Sequence, residues 1–344
     1  MSTGHRYIQY LHEPQASHKL KDKPVFKISP LLQERMVYLG QLTNYEEGVS
    51  VLREFYGIEI SKTQHFRVTN YYGEQIAPII EKAQESALPE KLPDNAIVYA
   101  ECDGSMILTR EKEEDQNSNS WEEVKVLRKY TSYDTLSSGT RNLIENSEYA
   151  AHLGGHSDFE AKAERLLDNC EHLGKNLVFI SDGASWIHRW QSDIYPHATQ
   201  ILDYYHVCEH MAAFAQVAIP DEKRRKDWLT ERKSELLDSQ PEKVIKQIQQ
   251  ISKTNKSAEK EAQKLINYYT VNKDRMNYKN YSERGLRIGS GAIEAAHRNV
   301  VQKRMKQSGQ RWSREHAQYV LNLRTCFMSG KWNEVIEMIR KYAA

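Results

Sequence analysis

The spacing of apolar residues divides the chain into a helical beginning, a mixed middle and a long helical end. Over residues 30–75 the apolar positions recur at helical intervals. Ser29-Pro30 has the form of a helix cap followed by proline in the first turn, Gly57 ends a helix, and Ser61 begins another. Helices around a glycine turn are typical of a helix-turn-helix, although most three-helix units do not bind DNA.

The middle of the chain shows strand and helix patterns in the order β-β-β-α-β-α-β. The segment "AIVYAEC" predicts a strand that ends at Asp103-Gly104, where a tight turn would pair it with "SMILTRE". The segments "WEEVKVLRKYTSY", "NLVFIS" and "ATQILDYY" predict the remaining strands, and "NLVFIS" has the continuous apolar character of a buried strand. Amphipathic helices are expected in "DFEAKAERLLDNCEHL" and "ASWIHRWQSDIY". This order predicts the α/β class.

A highly charged helical block runs from about Val207 to Asn277, with Pro241 as the expected start of one of its helices. A Gly-Ser-Gly turn follows, then a helix from about Ala292 to Gln307 and two further helices. At 344 residues the chain exceeds the usual size of one domain. We therefore divide it into a flexible arm at 1–28, a helical unit suited to DNA binding at 29–92, the first part of the core at 93–206, an all-helical insertion at 207–283, and the final core helices at 284–344.

Composition restricts the classes of function. Hydrophobic residues make up 39% of the chain and charged residues 28%, which is ordinary for a globular protein. The net charge of +1 indicates no partner by itself, so any nucleic-acid surface has to be a local patch. No apolar run is long enough to span a bilayer, and the N-terminus lacks the form of a signal peptide. These features predict a cytoplasmic protein with no membrane partner.

The four cysteines form no Cys-x-x-Cys pair, which argues against a zinc ribbon and against a disulfide framework. Cys208 lies between His206 and His210 in "HVCEH", a cluster that suggests a metal site. A buried thiol flanked by surface imidazoles is the better supported interpretation, because two complete ligand pairs are missing.

Three carboxylates stand at the ends of predicted helices and strands, where catalytic side chains are commonly placed. Asp103 follows the first strand, Asp182 follows the fourth, and Glu294 opens the helix behind "GSG". If the first and fourth strands are neighbours, both aspartates leave the same edge of the sheet and the glutamate approaches from a helix above. Acidic oxygens suit Mg²⁺ or Mn²⁺, and two such ions about 3.5–4 Å apart promote phosphodiester chemistry.

Each carboxylate also has a purely structural interpretation. Asp182 could cap the helix of "ASWIHRW", and Asp103-Gly104 could be only a hairpin turn. Glu294 could pair with Arg298 one turn further on, which would contribute only about 0.2–0.5 kcal/mol. Taken singly, Asp103 is better explained by the turn and Asp182 equally well by either role. Only the order of strands and helices makes the three acids converge.

Two further groups adjoin these acids. Asp203 and His206 in "ILDYYHVCEH" could support the ligands, although a histidine in a first helical turn is more often only a satisfied side chain. From Arg284 to Lys331 the segment is rich in Lys and Arg, and its only acidic residues are Glu294 and Glu315. This pattern is typical of a surface that binds a nucleic-acid phosphate backbone, or of a solvated helix face. The predicted DNA-binding side chains are Arg298, Lys303, Arg304, Lys306, Arg311, Trp312 and Arg314.

Four blocks of the sequence resemble bacterial insertion-sequence transposases of the ISKra type, relatives of the Mutator-like DDE transposases. They are "YAECDGS", "WEEVKVLRKY", "FISDGASWIHRWQSDIYPHATQILDYYHVCEHM" and "RIGSGAIEAAHRNVVQKRMKQSGQRWSREHAQYVLNLRTCFMSGKW". The resemblance implies an RNase H-like mixed-sheet core, interrupted by an all-helical insertion before the final acid. It also implies that Asp103, Asp182 and Glu294 are the catalytic acids, and "DYYH" is similar to the Asp/Cys-x-x-His motif of Mutator-like enzymes. The cysteine-rich zinc segment that family members often carry has no counterpart here.

The sequence therefore predicts a DDE transposase. Asp103, Asp182 and Glu294 would hold two Mg²⁺ or Mn²⁺ ions, with Asp203 and His206 in support, for DNA cleavage and strand transfer. The partner would be double-stranded DNA, both insertion-sequence ends and target, bound by a homodimer or higher oligomer. Two alternatives stay open: a structure-specific nuclease on the same fold, and a domesticated or inactive DNA-binding regulator.

Overall fold

The computed structural model is a mixed α/β protein in which a five-stranded sheet is covered by helices. The predicted α/β class is thus confirmed. In the described part of the chain no helix is both long and apolar enough to cross a membrane. The predicted arm at residues 1–28 falls outside the described residues, apart from its last four. The structure describes residues 25–86, 96–110, 119–133, 143–168 and 170–343.

The sheet is built from β1 (Ile97–Arg110), β2 (Asn119–Tyr133), β3 (Leu143–Leu153), β4 (Leu177–Ser181) and β5 (Thr199–Leu202). Its strand order is β3-β2-β1-β4-β5. β2 runs antiparallel to β1 and β3, whereas β4 runs parallel to both β1 and β5. The first and fourth strands are therefore neighbours, as predicted. Because parallel strands end at one edge of a sheet, side chains that follow β4 and β5 come together there.

β1 is one long strand, and the tight turn predicted at Asp103-Gly104 is wrong. Asp103 pairs with Val126 and Gly104 with Lys125, inside an unbroken antiparallel ladder. Asp-Gly is a local turn signal, but hydrogen bonds to β2 along all 14 residues of β1 override it. The third antiparallel strand is β3, whose Glu, Asn and Ala residues have weak strand propensity and gave no strand signal.

Helices precede, interrupt and follow the sheet. Before it lie α1 (Pro30–Leu42), α2 (Tyr45–Tyr56) and α3 (Lys62–Ser86). Between strands lie α4 (His156–Leu167) and α5 (Ser185–Ile194). After β5 come α6 (Tyr204–Ala218), α7 (Glu222–Leu237), α8 (Pro241–Thr254), α9 (Glu259–Asn272) and α10 (Tyr278–Glu283). The final part contains α11 (Gly291–Ala296), a π-helical stretch (His297–Gln302), α12 (Lys303–Met305), α13 (Arg314–Met328) and α14 (Trp332–Ala343).

The helix boundaries expected at Ser29-Pro30, Gly57 and Ser61 are confirmed. Ser29 Oγ accepts a hydrogen bond from Leu32 N at 3.3 Å, and Pro30 is the first residue of α1. Gly57 ends α2 with φ +63°, a left-handed conformation that glycine adopts without steric cost. These ends are decided by neighbouring residues, which is why the local sequence is sufficient to predict them.

Apolar side chains pack on both faces of the sheet. On one face, Val98 and Cys102 of β1 pack with Phe159 of α4 and Trp190 of α5. On the other face, the strands pack against α6–α10, and α11, the π-helical stretch and α13 cover β1–β3. Each large buried apolar side chain contributes about 1.5–3 kcal/mol. β1 is therefore held from both sides and forms a rigid base for the residues at its edge.

The N-terminal helices share one core with the C-terminal helices. Met36 of α1 and Tyr72 of α3 lie in the same buried cluster as Leu323 of α13 and Ile339 of α14. The helices assigned to the predicted units 29–92 and 284–344 are thus packed together, although the sheet and the helical block separate them in sequence. The predicted domain boundaries themselves stay predictions.

Candidate functional site

Three neighbouring strands carry an aspartate at the same level of the sheet. Asp103, Asp182 and Asp203 each follow the last paired position of β1 with β4 or of β4 with β5. Adjacent strands lie about 4.8 Å apart. Asp103 on β1 and Asp182 just after β4 are therefore side by side. The structure therefore brings together two of the three predicted metal ligands.

Asp103 lies on the face of β1 that α11 and the π-helical stretch cover. Its side chain is 37% exposed, Oδ1 accepts a hydrogen bond from Gly104 N at 2.7 Å, and Oδ2 lies 3.5 Å from His297 Nε2. Burial raises the pKa of this carboxyl, His297 and Gly104 N lower it, and the charge of Asp182 raises it. The two carboxylates repel each other, so a cation between them would be stabilised by both.

Asp182 sits at the start of a turn that requires glycine. Gly183 has φ +97°, and a Cβ there would lie 2.9 Å from the Tyr268 ring. Tyr268 Oη donates to Asp182 O at 2.7 Å, and Asp182 Oδ1 accepts from Ala184 N at 3.0 Å. The carboxylate thus accepts one backbone N–H within the turn ahead of α5. It does not cap the helix, because the N-cap residue is Ala184 and no side chain makes a cap bond there. Its Oδ2 has no partner among the described residues.

Glu294 lies on α11, above β1 and β2, and its side chain is exposed. Its carboxylate makes no hydrogen bond or ion pair with the described residues, so the alternative pairing with Arg298 is absent from them. Within the described ranges, no three His, Cys, Asp or Glu side chains are close enough together to hold a metal ion. The structure therefore places Glu294 on the adjoining helix without joining it to Asp103 and Asp182.

Glu101 is a buried carboxyl that the sequence pattern did not reveal. It lies on β1 two residues before Asp103, on the same face, and is fully buried. Tyr130 Oη donates to its Oε1 at 2.5 Å, and Ile293 N donates to its Oε2 at 2.7 Å. Since Ile293 precedes Glu294, the second bond fixes the start of α11 over β1. The available signal was a glutamate inside the apolar strand "AIVYAEC".

The buried Glu101 predicts a pH dependence of stability. Burial raises its pKa from 4.5 to about 7, so between these values the folded state binds more protons than the unfolded chain. The free energy of unfolding should therefore fall by about 1–3 kcal/mol as the pH rises through this window. Glu101→Gln should flatten that profile, whereas Glu222→Gln on the surface should not. Urea denaturation at several pH values measures both, and identical profiles would refute the assignment.

Asp203 and His206 occupy different places at this edge. Asp203 is buried, its Oδ1 accepts a backbone N–H of α6 at 2.8 Å, and its Oδ2 accepts from the Ser290 hydroxyl. It therefore caps α6 and ties the loop before α11 to the end of β5. His206 Nε2 lies 3.0 Å from His210 Nε2, and His206 is among the groups that lower the pKa of Asp103. His206 is therefore within electrostatic reach of Asp103.

Cys208 packs inside the protein. It is buried in the core between α6 and the sheet, where burial raises the pKa of its thiol. His206 is half-buried and His210 is exposed. This agrees with the interpretation of "HVCEH" as a buried thiol flanked by surface imidazoles.

His297 is a second buried side chain that the acidic pattern did not reveal. It begins the π-helical stretch three residues after Glu294 and is 4% exposed. Burial lowers the pKa of its imidazole, and the adjacent Asp103 raises it. The sequence signal was the spacing Glu-x-x-His, which puts both residues on one side of a helix.

The predicted DNA-binding side chains separate into an exposed and a buried group. Arg304 and Trp312 are only 1% and 6% exposed. The Arg304 guanidinium lies 4.9 Å from the ring centres of Tyr45 and Trp312, and its Nε donates to Gly40 O at 2.8 Å. Partners inside the fold thus contact both side chains, and the DNA-binding role given to these two residues stays a prediction. The exposed members are Arg298, Lys303, Lys306, Arg311 and Arg314.

No protein-family model matches the chain, and no curated protein matches it with significance. Evidence for a function therefore lies in the geometry of the sheet edge that carries Asp103 and Asp182. It combines two adjacent carboxylates with a stretch of exposed cations that begins four residues after Glu294. Carboxylates of this kind bind divalent cations, and exposed Lys and Arg side chains bind a phosphate backbone.

Proposed function

We propose that the protein is a metal-dependent DDE transposase with an RNase H-like core, which cuts and joins the ends of an insertion sequence. The observation that carries the proposal is the register of β1 with β4, which sets Asp103 and Asp182 side by side. The helix with Glu294 lies over the same strand, and the block α6–α10 separates it from β5 in the chain. The resemblance to Mutator-like transposases implies this order of acids, sheet and helical insertion.

The residues at this edge fit Mg²⁺ or Mn²⁺. Carboxylate oxygens are the hard ligands that both ions prefer, and Asp182 keeps Oδ2 free. A cation would also relieve the repulsion that raises the pKa of Asp103. The exposed Glu294 carboxylate has no partner among the described residues, and the proposal requires it to supply a third carboxylate. When bound, two such ions supply an activated water and stabilise the leaving oxygen of a phosphodiester.

Each residue has a task in the proposed reaction. Asp103, Asp182 and Glu294 would hold the divalent cations, whose chemistry would serve hydrolysis at the insertion-sequence end and then attack of the freed 3′-hydroxyl on target DNA. His206 supports the charge balance of the acids, and Asp203 holds the loop before α11 in place. Neither step forms a bond between protein and DNA, so no Ser or Tyr nucleophile is required. Two DNA ends must meet, so we expect at least a dimer on DNA.

Lys303→Gln and Lys306→Gln should weaken DNA binding without changing its sequence preference. Both side chains are exposed, and a lysine that contacts a phosphate contributes through release of counterions. The slope of log affinity against log salt should fall by about 0.9 for each lysine removed. Titrations at several salt concentrations measure the slope, with Lys341→Gln on α14 as the control. A slope that both substitutions leave unchanged would remove this face from the DNA interface.

A DNA-binding regulator is the second candidate, and the uncontacted Glu294 favours it. The distinguishing experiment uses purified protein, Mg²⁺ or Mn²⁺, and a labelled duplex that carries the DNA flanking the gene. Joined products support the transposase, and nicked products without joining support a structure-specific nuclease. Binding without cleavage supports the regulator.

A further inference from the structure

His297 has two buried ring nitrogens without a hydrogen bond beside the acidic edge. Its exposed fraction is 4%, and neither Nδ1 nor Nε2 forms a hydrogen bond within the described part of the chain. Nε2 lies 3.5 Å from Asp103 Oδ2, an ion pair when the imidazole is protonated, at a distance longer than a usual hydrogen bond. A buried polar atom without a hydrogen bond costs about 1–3 kcal/mol. The imidazole therefore lies beside Asp103 with hydrogen-bonding capacity that a ligand at this edge could use.

Glu294 and His297 lie three residues apart where α11 joins the π-helical stretch. Residues three apart share a helix face, and Glu-x-x-His pairs bind metal ions in helical proteins with two-metal sites. His297 begins a π-helical stretch, and such wide turns occur frequently at functional sites. The bond from Ile293 N to Glu101 anchors this helix over β1, so the pair is held above the strand that carries Asp103.

We propose that His297 is a nitrogen ligand of the divalent cation bound by Asp103, which makes the site selective for Mn²⁺ over Mg²⁺. The inference rests on the proposed function, because it requires a cation at this edge. Oxygen ligands serve both ions, whereas an imidazole nitrogen favours transition metals and suits Mg²⁺ poorly. His297 therefore increases the affinity for Mn²⁺ more than the affinity for Mg²⁺.

Pulsed electron paramagnetic resonance of the Mn²⁺-loaded wild-type protein tests the ligand directly. A coordinated imidazole adds nitrogen modulation to the Mn²⁺ spin echo, and we expect this modulation in the wild type. His297→Gln should remove it and lower the Mn²⁺ affinity by about tenfold or more, with a smaller change for Mg²⁺. His197→Gln, an exposed imidazole outside the edge, should change neither. His206→Gln should keep the modulation, which excludes the other nearby imidazole as its source.

The outcomes separate this inference from the proposed function. Mn²⁺ binding without nitrogen modulation in the wild type overturns the inference alone, and so does modulation that survives His297→Gln. Failure of the wild type to bind Mn²⁺, or binding that Asp182→Asn leaves unchanged, overturns the metal site and the inference with it. Because the first result needs only the wild-type protein, it decides the inference even if His297→Gln does not fold.

Discussion

Asp182→Asn should abolish metal-dependent nicking and joining while DNA binding persists. The substitution keeps the size of the side chain and the bond from Ala184 N to Oδ1, but it removes the charge of a proposed metal ligand. Loss of a ligand from a two-metal site should slow the reaction by on the order of 10³-fold, about 4 kcal/mol in the barrier. DNA affinity should stay equal or rise, because a negative charge near the phosphates is lost.

The matched control for this substitution is Asp193→Asn, which changes an exposed aspartate of α5 in the same way. We expect wild-type nicking and joining from it. Rates for Asp182→Asn within a few-fold of the control would show that Asp182 is only a turn residue ahead of α5. Gel assays of cleavage and joining, with DNA binding measured in parallel, provide the comparison.

Arg304→Ala should lower the free energy of unfolding by about 3–5 kcal/mol. The substitution removes the bond to Gly40 O, two cation–π contacts with Tyr45 and Trp312, and the volume of a fully buried side chain. Each of these contacts connects α12 to the N-terminal helices or to the loop before α13. The loss should therefore weaken the packing of the N-terminal helices against the C-terminal helices. Urea denaturation measures the resulting decrease in the free energy of unfolding.

Lys303→Ala, one residue earlier, is the control for Arg304→Ala. Its side chain is exposed, so its removal should change stability by no more than about 0.5 kcal/mol. The two substitutions should thus have opposite effects. Replacing Lys303 should weaken DNA binding and leave the free energy of unfolding nearly unchanged, whereas replacing Arg304 should lower the free energy of unfolding. A similar loss of stability from both substitutions would contradict the burial of Arg304 as its cause.

The sequence predicted those parts of the fold that depend on hydrogen bonds between residues a few positions apart. Ser29-Pro30 and Gly57 mark helix ends through bonds to residues a few positions away. Asp103-Gly104 shows where this fails, because the ladder with β2 holds a turn-forming pair in an extended strand. β3 was missed for the same reason, since its pairing with β2 compensates for a weak strand composition. The pairing of strands that are distant in sequence cannot be predicted from the pattern of residues within one segment.

The candidate site was predictable where it depends on strand order and unpredictable where it depends on burial. Asp103 lies on β1 and Asp182 follows β4, and the order of strands in the sequence allowed these two strands to be neighbours. Arg304 lies in a run of cations typical of a surface, yet Gly40 and Tyr45, distant in sequence, enclose it. The role of Glu101 could not be predicted for the same reason, because it depends on contact with Ile293 of α11, a helix that is distant in sequence.

The central claim is that Asp103, Asp182 and Glu294 form one metal-dependent site for cutting and joining DNA. The most direct test is a strand-transfer assay with the purified wild-type protein and a duplex that carries the DNA flanking its gene. We expect joined products with Mg²⁺ or Mn²⁺, none with a chelator, and none from Asp103→Asn, Asp182→Asn or Glu294→Gln. Wild-type protein that binds this duplex but neither nicks nor joins it with either ion would contradict the account.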